Sequence, residues 1–545
     1  MSDIEFNLLT EPWIRVMDEN CTVKEVSLTD ALIYSHEYKG LAGELPTQDA
    51  AVLRLLLAVL HAVFERVDID GNESEIEECD DALDRWESLW KNEHFPEKPI
   101  KEYLESQKEN FWLFHPTRPF WQVSQAKSGT GYDASKLNGA LSESSNKLRL
   151  FPDRTCEERN RLTYSEAARW LLYVNAFDDT SAKPTKAGKA ANDGKLPSPG
   201  AGWLGKLGYV SLLGESLFQT LMMNFVLLDR NKEPWTSCIP SWELETPKTE
   251  ERVQIPIPND QAAILTLQSR RLFLLRDGKY ITGYYLLGGD FFDKENSFVE
   301  QMTVWGKIKD KNGNCIGYQP RRHDRTRQMW RDFAMYTSAL NDSNSELPGI
   351  IRWNALLQCE KILPLTGLLD LTIASIQYGD KDFFAADVFS DYLSIHMNLL
   401  SDIGDVWRTL ICNEIETCDK IARQIGFLAS ELFIAAGGDI EKRNQPMTKA
   451  REQFYYAVDI PFRKWLSGLN AEDIDTTAKV SVWRKEAKTI AFKLANEMVK
   501  NAGTAAFVGK KAKENKNDPG RYYSSSIAMN KFIAYMKNIT EGDTQ

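Results

Sequence analysis

The chain is short of histidine, of paired cysteine and of positive charge, and each shortage removes a class of function. Six histidines stand among 545 residues. No two of them lie three to five positions apart, so no helix face offers the spacing of a histidine metal site. Eight cysteines run from Cys21 to Cys418 without one C-x-x-C pair, which excludes a zinc ribbon and a disulfide scaffold and agrees with a reducing compartment. No uncharged apolar run approaches the roughly 18 residues that a membrane span needs. The start, Met1-Ser2-Asp3-Ile4-Glu5, is acidic where a secretory signal is basic and then apolar. These absences together predict a cytoplasmic protein.

Basic residues are also outnumbered. Lys and Arg total 66 against 78 Asp and Glu, a formal net charge of −12. A protein that grips nucleic acid alone is usually basic, because neutralised phosphates and released counterions supply most of the affinity. The charge therefore argues against a stand-alone DNA binder. It leaves room for a subunit that touches nucleic acid locally while basic partners supply most of the grip.

What is present is apolar and aromatic. Hydrophobic residues make up 43% of the chain and tryptophan alone contributes 15 residues, a load that favours large cores or large interfaces. At 545 residues the chain exceeds what one core fills, since single cores stop growing near ~250–300 residues. The reading is α+β: a mixed α/β domain over residues 1–395 and a four-helix bundle over 396–545. In the first part, Trp13 to Val16 reads as a strand. Thr47 is placed to cap a helix whose apolar face is Leu53, Leu56, Leu57, Leu60, Val63 and Phe64. Leu83, Trp86, Leu89 and Trp90 mark a surface helix in an acidic stretch. Thr163-Tyr-Ser-Glu166 is a capping box that opens another helix. Residues 125–153 and 178–202 lack periodicity and read as long loops. Residues 252–320 alternate in the β manner, with turn signals at Asp277-Gly278, Gly288-Gly289 and Asn312-Gly313. Two further strand-like runs flank Tyr378-Gly-Asp-Lys381. Amphipathic segments near 398–436, 446–467, 474–501 and 524–541 follow, the first ended by Gly437-Gly438 and the second by Gly468.

Several motifs fail on inspection. Gly200-Ala-Gly-Trp-Leu-Gly205-Lys206 fits G-x-x-x-x-G-K, but Leu207 stands where a phosphate-binding loop needs Ser or Thr, and no buried strand precedes it. Asp68-Ile-Asp-Gly71 places its glycine too early for a calcium loop. Arg321, Arg322, Arg325, Arg327 and Arg331 read first as a salt-bridged face and second as a set of phosphate forks. No cofactor is expected.

Several blocks together resemble the large subunit of the type I-E CRISPR surveillance complex, Cascade (the CasA family). They are Asn7-Leu-Leu-Thr-Glu-Pro12-Trp13-Ile14-Arg-Val16, the helix start Leu45-Pro-Thr-Gln-Asp-Ala-Ala51, Phe114-His-Pro-Thr-Arg-Pro119-Phe120, and Gly208-Tyr-Val-Ser-Leu-Leu-Gly214 running into Phe218 to Phe225. Their order and the terminal helical segment cover most of the chain. The resemblance implies a non-catalytic role at the crRNA 5′ end. There the subunit checks the PAM in double-stranded target DNA, starts strand separation and helps recruit the nuclease-helicase. Its partners would be crRNA, the backbone subunits, the small-subunit pair and the 5′-end capping subunit. Two alternatives are a hydrolase with a Trp-lined cleft, which requires clustered carboxylates in a deep pocket, and a helical adaptor that touches no nucleic acid.

The resemblance also assigns residues. Gly200, Ala201, Gly202 and Trp203 are expected to form the loop against the PAM minor groove. Gln377, Tyr378, Gly379, Asp380 and Lys381 are expected to form the strand-separating wedge, with Tyr378 offering a π face, Gln377 an amide and Lys381 a phosphate contact. Asn146, Lys147, Leu148 and Arg149 are expected to dock on crRNA and a neighbouring subunit. The family's lysine-bearing β segment matches Gly283 to Asp290, which holds no lysine, and Lys294 is the nearest one. Lys510, Lys511, Lys513 and Lys516 read as a solvated basic linker, or else as local positive charge for the displaced strand.

Overall fold

The computed structural model describes residues 4–143, 152, 154–179, 181, 183–187, 200–236, 238–337, 346–364, 366–473, 475–513 and 519–541. The chain forms two compact units. The first comprises Met1–Arg327, Ser343–Pro364 and Leu369–Tyr392, and the second Gln328–Asp342, Leu365–Leu368 and Leu393–Gln545. A single division at residue 395 therefore misses Gln328–Asp342, which joins the helical unit. Trp330 holds that segment there, stacked on Phe462 at 4.2 Å and donating its indole N–H to Asp459 at 2.8 Å.

The first unit is built around helix α1, Pro46–Phe64, whose side chains are buried almost all round. It starts at Pro46, with Leu45 rather than Thr47 in the capping position. Proline suits the first helical turn because the N–H it lacks has no intrahelical acceptor there. Among the described residues α1 is the one helix long and apolar enough to cross a membrane. However, 94% of that window is buried in protein, and Asp49 and Arg54 interrupt it. Against α1 lies α2, Tyr164–Phe177, opened by the expected capping box: Thr163 accepts from the Glu166 N–H, and Glu166 accepts from the Thr163 N–H at 2.8 Å.

The strands of this unit form small sheets of two or three strands each. The strand Val210–Leu213 (β1) edges a three-stranded sheet described below. Strands β2 (Arg270–Asp277) and β3 (Tyr280–Gly288) form the hairpin signalled by Asp277-Gly278, with Gly278 at φ +58°. Residues 125–143, the described first part of the loop expected over 125–153, are not featureless. Thr130–Asp133 pairs with the outer edge of β3, and Ala134–Leu137 is a short helix. Backbone ladder bonds supply this order where apolar alternation is missing. A buried Lys136–Asp179 ion pair at 2.6 Å pins the segment. Strands β4 (Leu368–Tyr378) and β5 (Ala385–His396) pair around the turn at 379–384, with β1 on the other edge of β4 in the order β5-β4-β1.

The second unit carries four long helices: α3 (Asp405–Ala435), α4 (Asn444–Ser467), α5 (Thr476–Asn501) and α6 (Ser525–Glu541). The α3 helix packs on the other three. Gly437, at φ +104°, follows the first helix and Gly468 caps the second, as the sequence indicates. The basic connector is more ordered than a linker: Lys510–Ala512 pairs antiparallel with Arg521–Tyr523. Lys510 donates to the Gly437 and Gly438 carbonyls at 3.1 and 3.2 Å, so its charge serves the end of α3. Lys516 lies outside the described residues.

Candidate functional site

Two segments far apart in sequence meet in the first unit: the loop Gly200–Lys206, and the turn of the β4–β5 hairpin. The loop is fixed from beneath. Asp178, directly after α2, accepts from the Arg270 guanidinium at 2.7 Å, and Arg270 donates onward to the Gly200 carbonyl at 2.7 Å. The Gly202 N–H donates to the Asp178 carbonyl at 2.9 Å. The Trp203 indole N–H donates to Glu300 at 2.7 Å. The same carboxylate receives both Nη atoms of Arg54, at 2.8 and 3.0 Å, deep under α1.

This anchoring commits most of the loop's side chains to the interior. Ala201 is fully buried and Trp203 is 4% exposed, so neither presents a side chain to a ligand. Packing by itself requires glycine at 202. A Cβ there would stand 2.4 Å from the Ala176 carbonyl oxygen. Gly200, at φ +61°, is half-buried, with its carbonyl taken by Arg270. The segment is no phosphate-binding loop either, since Leu204–Lys206 is a single 3₁₀ turn and no α-helix follows it directly.

The hairpin turn stands beside this loop. Gly379 N–H donates to the Phe384 carbonyl at 2.9 Å and closes the turn, while Lys381 and Asp382 both take positive φ, 53° and 60°. Gln377, Asp380 and Lys381 are exposed, as a tip requires. Tyr378 is not: it is 7% exposed, and its hydroxyl donates to the Phe177 carbonyl at 2.6 Å. The expected π face at 378 is therefore withdrawn into the core, and burial drives the phenol pKa well up. The ring faces Gly205, where a Cβ would meet the phenol oxygen at 2.2 Å. The exposed aromatics are instead Phe383, at 62%, and Phe384, at 41%. The adjacent pair Phe-Phe just past the turn was the available sequence signal.

The arginine cluster braces the hairpin. Arg322 makes a two-pronged contact to Asp382, at 2.8 and 2.9 Å, and lies over the Tyr378 ring at 5.0 Å. Arg325 reaches Asp387 on β5 at 3.1 Å. The salt-bridged reading of this cluster holds for Arg322 and Arg325 and also for Arg331, which pairs with Asp419 at 3.6 Å, and against the effect of burial Asp382 is held below its usual carboxylate range by Arg322. Lys206 sits between loop and hairpin, half-buried, with Arg270, Arg322, Lys294 and Asp382 as its charged surroundings. Lys294 is thus near this region although it lies outside the matched β segment.

Residues 146–149, expected to dock on RNA, lie outside the described residues. A Trp-lined cleft does exist, about 800 Å³ including its open mouth, with Trp121 and Trp242 in its wall. Among the described residues its one lining carboxylate, Asp290, is ion-paired to Arg271 and to Lys248, the latter at 3.0 Å. That is not the carboxylate cluster a hydrolase requires. No group of three or more His, Cys, Asp or Glu among the described residues is placed to hold a metal ion.

Comparison with known proteins gives concordant matches. The family model for CRISPR-associated protein Cse1 matches residues 7–494. A CasA/Cse1 protein of Thermus thermophilus is 30% identical over 339 residues, spanning 61% of this chain and 60% of the relative, less than two thirds of its length. The crystal structure of Thermobifida fusca Cse1 superposes with a TM-score of 0.80 at 27% identity, covering 99% of this chain and 98% of that one. A chain of a CRISPR RNA-guided surveillance complex shares the fold at 15% identity, with a TM-score of 0.69 over 97% of this chain and 99% of its own.

Proposed function

This chain belongs to the Cse1 (CasA) family, the family of the Cascade large subunit, and on that premise we propose that it is a non-catalytic subunit of an RNA-guided complex that inspects the PAM in duplex DNA and begins strand separation. One observation carries the reading. Gly200–Trp203 and Gln377–Lys381, both assigned a DNA contact by the one resemblance, belong to a loop and a hairpin that adjoin at Gly205 and Tyr378. A duplex lying on the loop would have its adjacent step at the hairpin tip.

In this reading the loop meets the minor groove through the Gly200 backbone, because Ala201, Gly202 and Trp203 are committed to packing. The tip is braced for a wedge by the Arg322–Asp382 pair and the Tyr378–Phe177 bond. Gln377 and the exposed Phe383 ring are the groups available to occupy an opened base step, and Lys381 to meet phosphate. Unstacking costs a few kcal/mol, offset by guide pairing and by contacts to the inserted group. Lys294 is available for a further PAM contact. The proposal keeps crRNA, the backbone subunits, the small-subunit pair and the 5′-end capping subunit as partners, together with the nuclease-helicase. The docking role of Asn146, Lys147, Leu148 and Arg149 rests on the resemblance alone.

The test compares Q377A/K381A/F383A with the unaltered protein in the assembled complex, on duplex and on pre-melted targets. The expected result is a much larger loss on the duplex. Equal losses on both targets would remove the wedge assignment. Tyr378 is left intact, since its replacement would disturb the fold.

A further inference from the structure

Lys206 is a half-buried cation of the first unit whose Cε lies 3.6 Å from where a Cβ at Gly200 would stand, and among the described residues its ammonium group has neither a hydrogen-bond acceptor nor an ion-pair partner. Its neighbours are committed elsewhere. Arg270 is bound to Asp178 and to the Gly200 and Asp179 carbonyls. Arg322 is bound to both oxygens of Asp382. Lys294 is exposed on a separate turn. Lys206 is held at this position by its backbone: its N–H donates to the Trp203 carbonyl at 3.0 Å, and Trp203 is in turn fixed to Glu300. A backbone so fixed, carrying an unpaired cation beside two guanidinium groups, offers a ready-made seat for one anion.

We propose that Lys206 is the receptor for a single backbone phosphate of the target duplex, seated where the Gly200–Lys206 loop adjoins the hairpin. This rests on the interface reading above and adds a specific charged contact to it. Two features favour a phosphate over a partner's carboxylate. The surroundings are three cations to one anion, Arg270, Arg322 and Lys294 against Asp382, which suits a group that stays anionic and presents several acceptor oxygens. The site also lies beside the tip, where a duplex meeting the loop at Gly200 would bring its phosphates. A phosphate contact carries no base information, so it fixes register rather than choosing sequence.

In the unoccupied protein, burial and the flanking Arg270, Arg322 and Lys294 lower the amine to a pKa of about 8, with Asp382 opposing. A bound phosphate raises it again, so binding takes up a proton as the pH climbs above 8. Affinity for duplex should then fall by roughly tenfold between pH 7 and pH 9.

The test uses the assembled complex with its crRNA and a PAM-bearing duplex, comparing the unaltered protein with K206M and K206R across salt and pH. The K206M variant should lower the slope of log affinity against log salt by about one, equally for all PAM sequences. It should also lose the decline between pH 7 and pH 9. The K206R variant should restore the slope and keep a flat pH profile, because a guanidinium does not titrate there. A duplex carrying one neutral methylphosphonate at the contacted position should abolish the difference between unaltered protein and K206M.

An unchanged slope in K206M, with Q377A/K381A/F383A still selectively impaired on duplex, overturns the Lys206 contact and leaves the interface standing. If neither variant affects duplex binding, both fall together. Failure of complex assembly in K206M would point to a partner's carboxylate and also overturn the proposal. Should K206M fold poorly by thermal melting, K206R decides alone: a pH profile as steep as that of the unaltered protein refutes the assignment.

Discussion

The Tyr378 hydroxyl donates to the Phe177 carbonyl at 2.6 Å, joining the last residue of strand β4 to the last residue of helix α2. The bond crosses more than two hundred positions of sequence and holds the base of an exposed turn against the unit's central helices. It explains why a tyrosine expected at the tip is found beneath it. The turn projects because its root is anchored.

Replacing Tyr378 with phenylalanine should therefore act on stability before it acts on recognition. Y378F leaves the ring in place and removes only the donor to the Phe177 carbonyl. The expected cost is about 1–2 kcal/mol, read from the urea midpoint of the isolated subunit. Faster amide exchange should be confined to residues 379–384 and the end of α2. Unchanged exchange there would mean that the bond does not hold the hairpin.

The Arg54–Glu300 pair should behave as a buried unit. Both side chains are almost fully enclosed, and Glu300 also receives the Trp203 indole N–H. E300A strands the Arg54 guanidinium in the core and should cost about 3–5 kcal/mol. R54M/E300M removes both charges and should cost clearly less than the two single substitutions summed, giving a strong coupling in the double-mutant cycle. Additive losses would show that the pair is not energetically linked.

Asp49 should make stability fall as pH rises. Burial is the main cause raising its carboxyl to about 7, aided by Glu44 and opposed by the Gly43 N–H, Arg15 and Arg169. With the folded value above the unfolded one, its contribution is fully present below about pH 4 and is lost as pH rises through 7. D49N keeps an oxygen for the Gly43 N–H, at 2.8 Å in the unaltered protein, and removes the titration. At pH 8 it should be the more stable protein, by on the order of 2 kcal/mol once partial contact with solvent is discounted. At pH 4 the two should match. A constant difference across that range in a pH series of thermal melts would exclude Asp49 as the source.

Features set by neighbouring residues were legible in the chain. The Thr163–Glu166 capping box starts a helix because its hydrogen bonds close within one turn. The Asp277-Gly278 hairpin and the four C-terminal helices follow from glycine's tolerance of positive φ and from apolar periodicity. Residues 125–143 differ from the loop expected there for the complementary reason. Their order comes from backbone pairing with β3 and from the Lys136–Asp179 pair, neither of which leaves a local pattern.

By itself the sequence determined the element types, the family, and the two segments, Gly200–Trp203 and Gln377–Lys381, worth examining. Only the tertiary structure decided that these segments adjoin, that Ala201, Trp203 and Tyr378 are buried, and that Phe383 is exposed at the turn with Gln377 and Lys381. The physical reason is range. A cap or a turn is settled by bonds spanning a few residues. Burial at Tyr378 depends on Phe177, Gly205 and Arg322, which reach it only when the whole unit has folded.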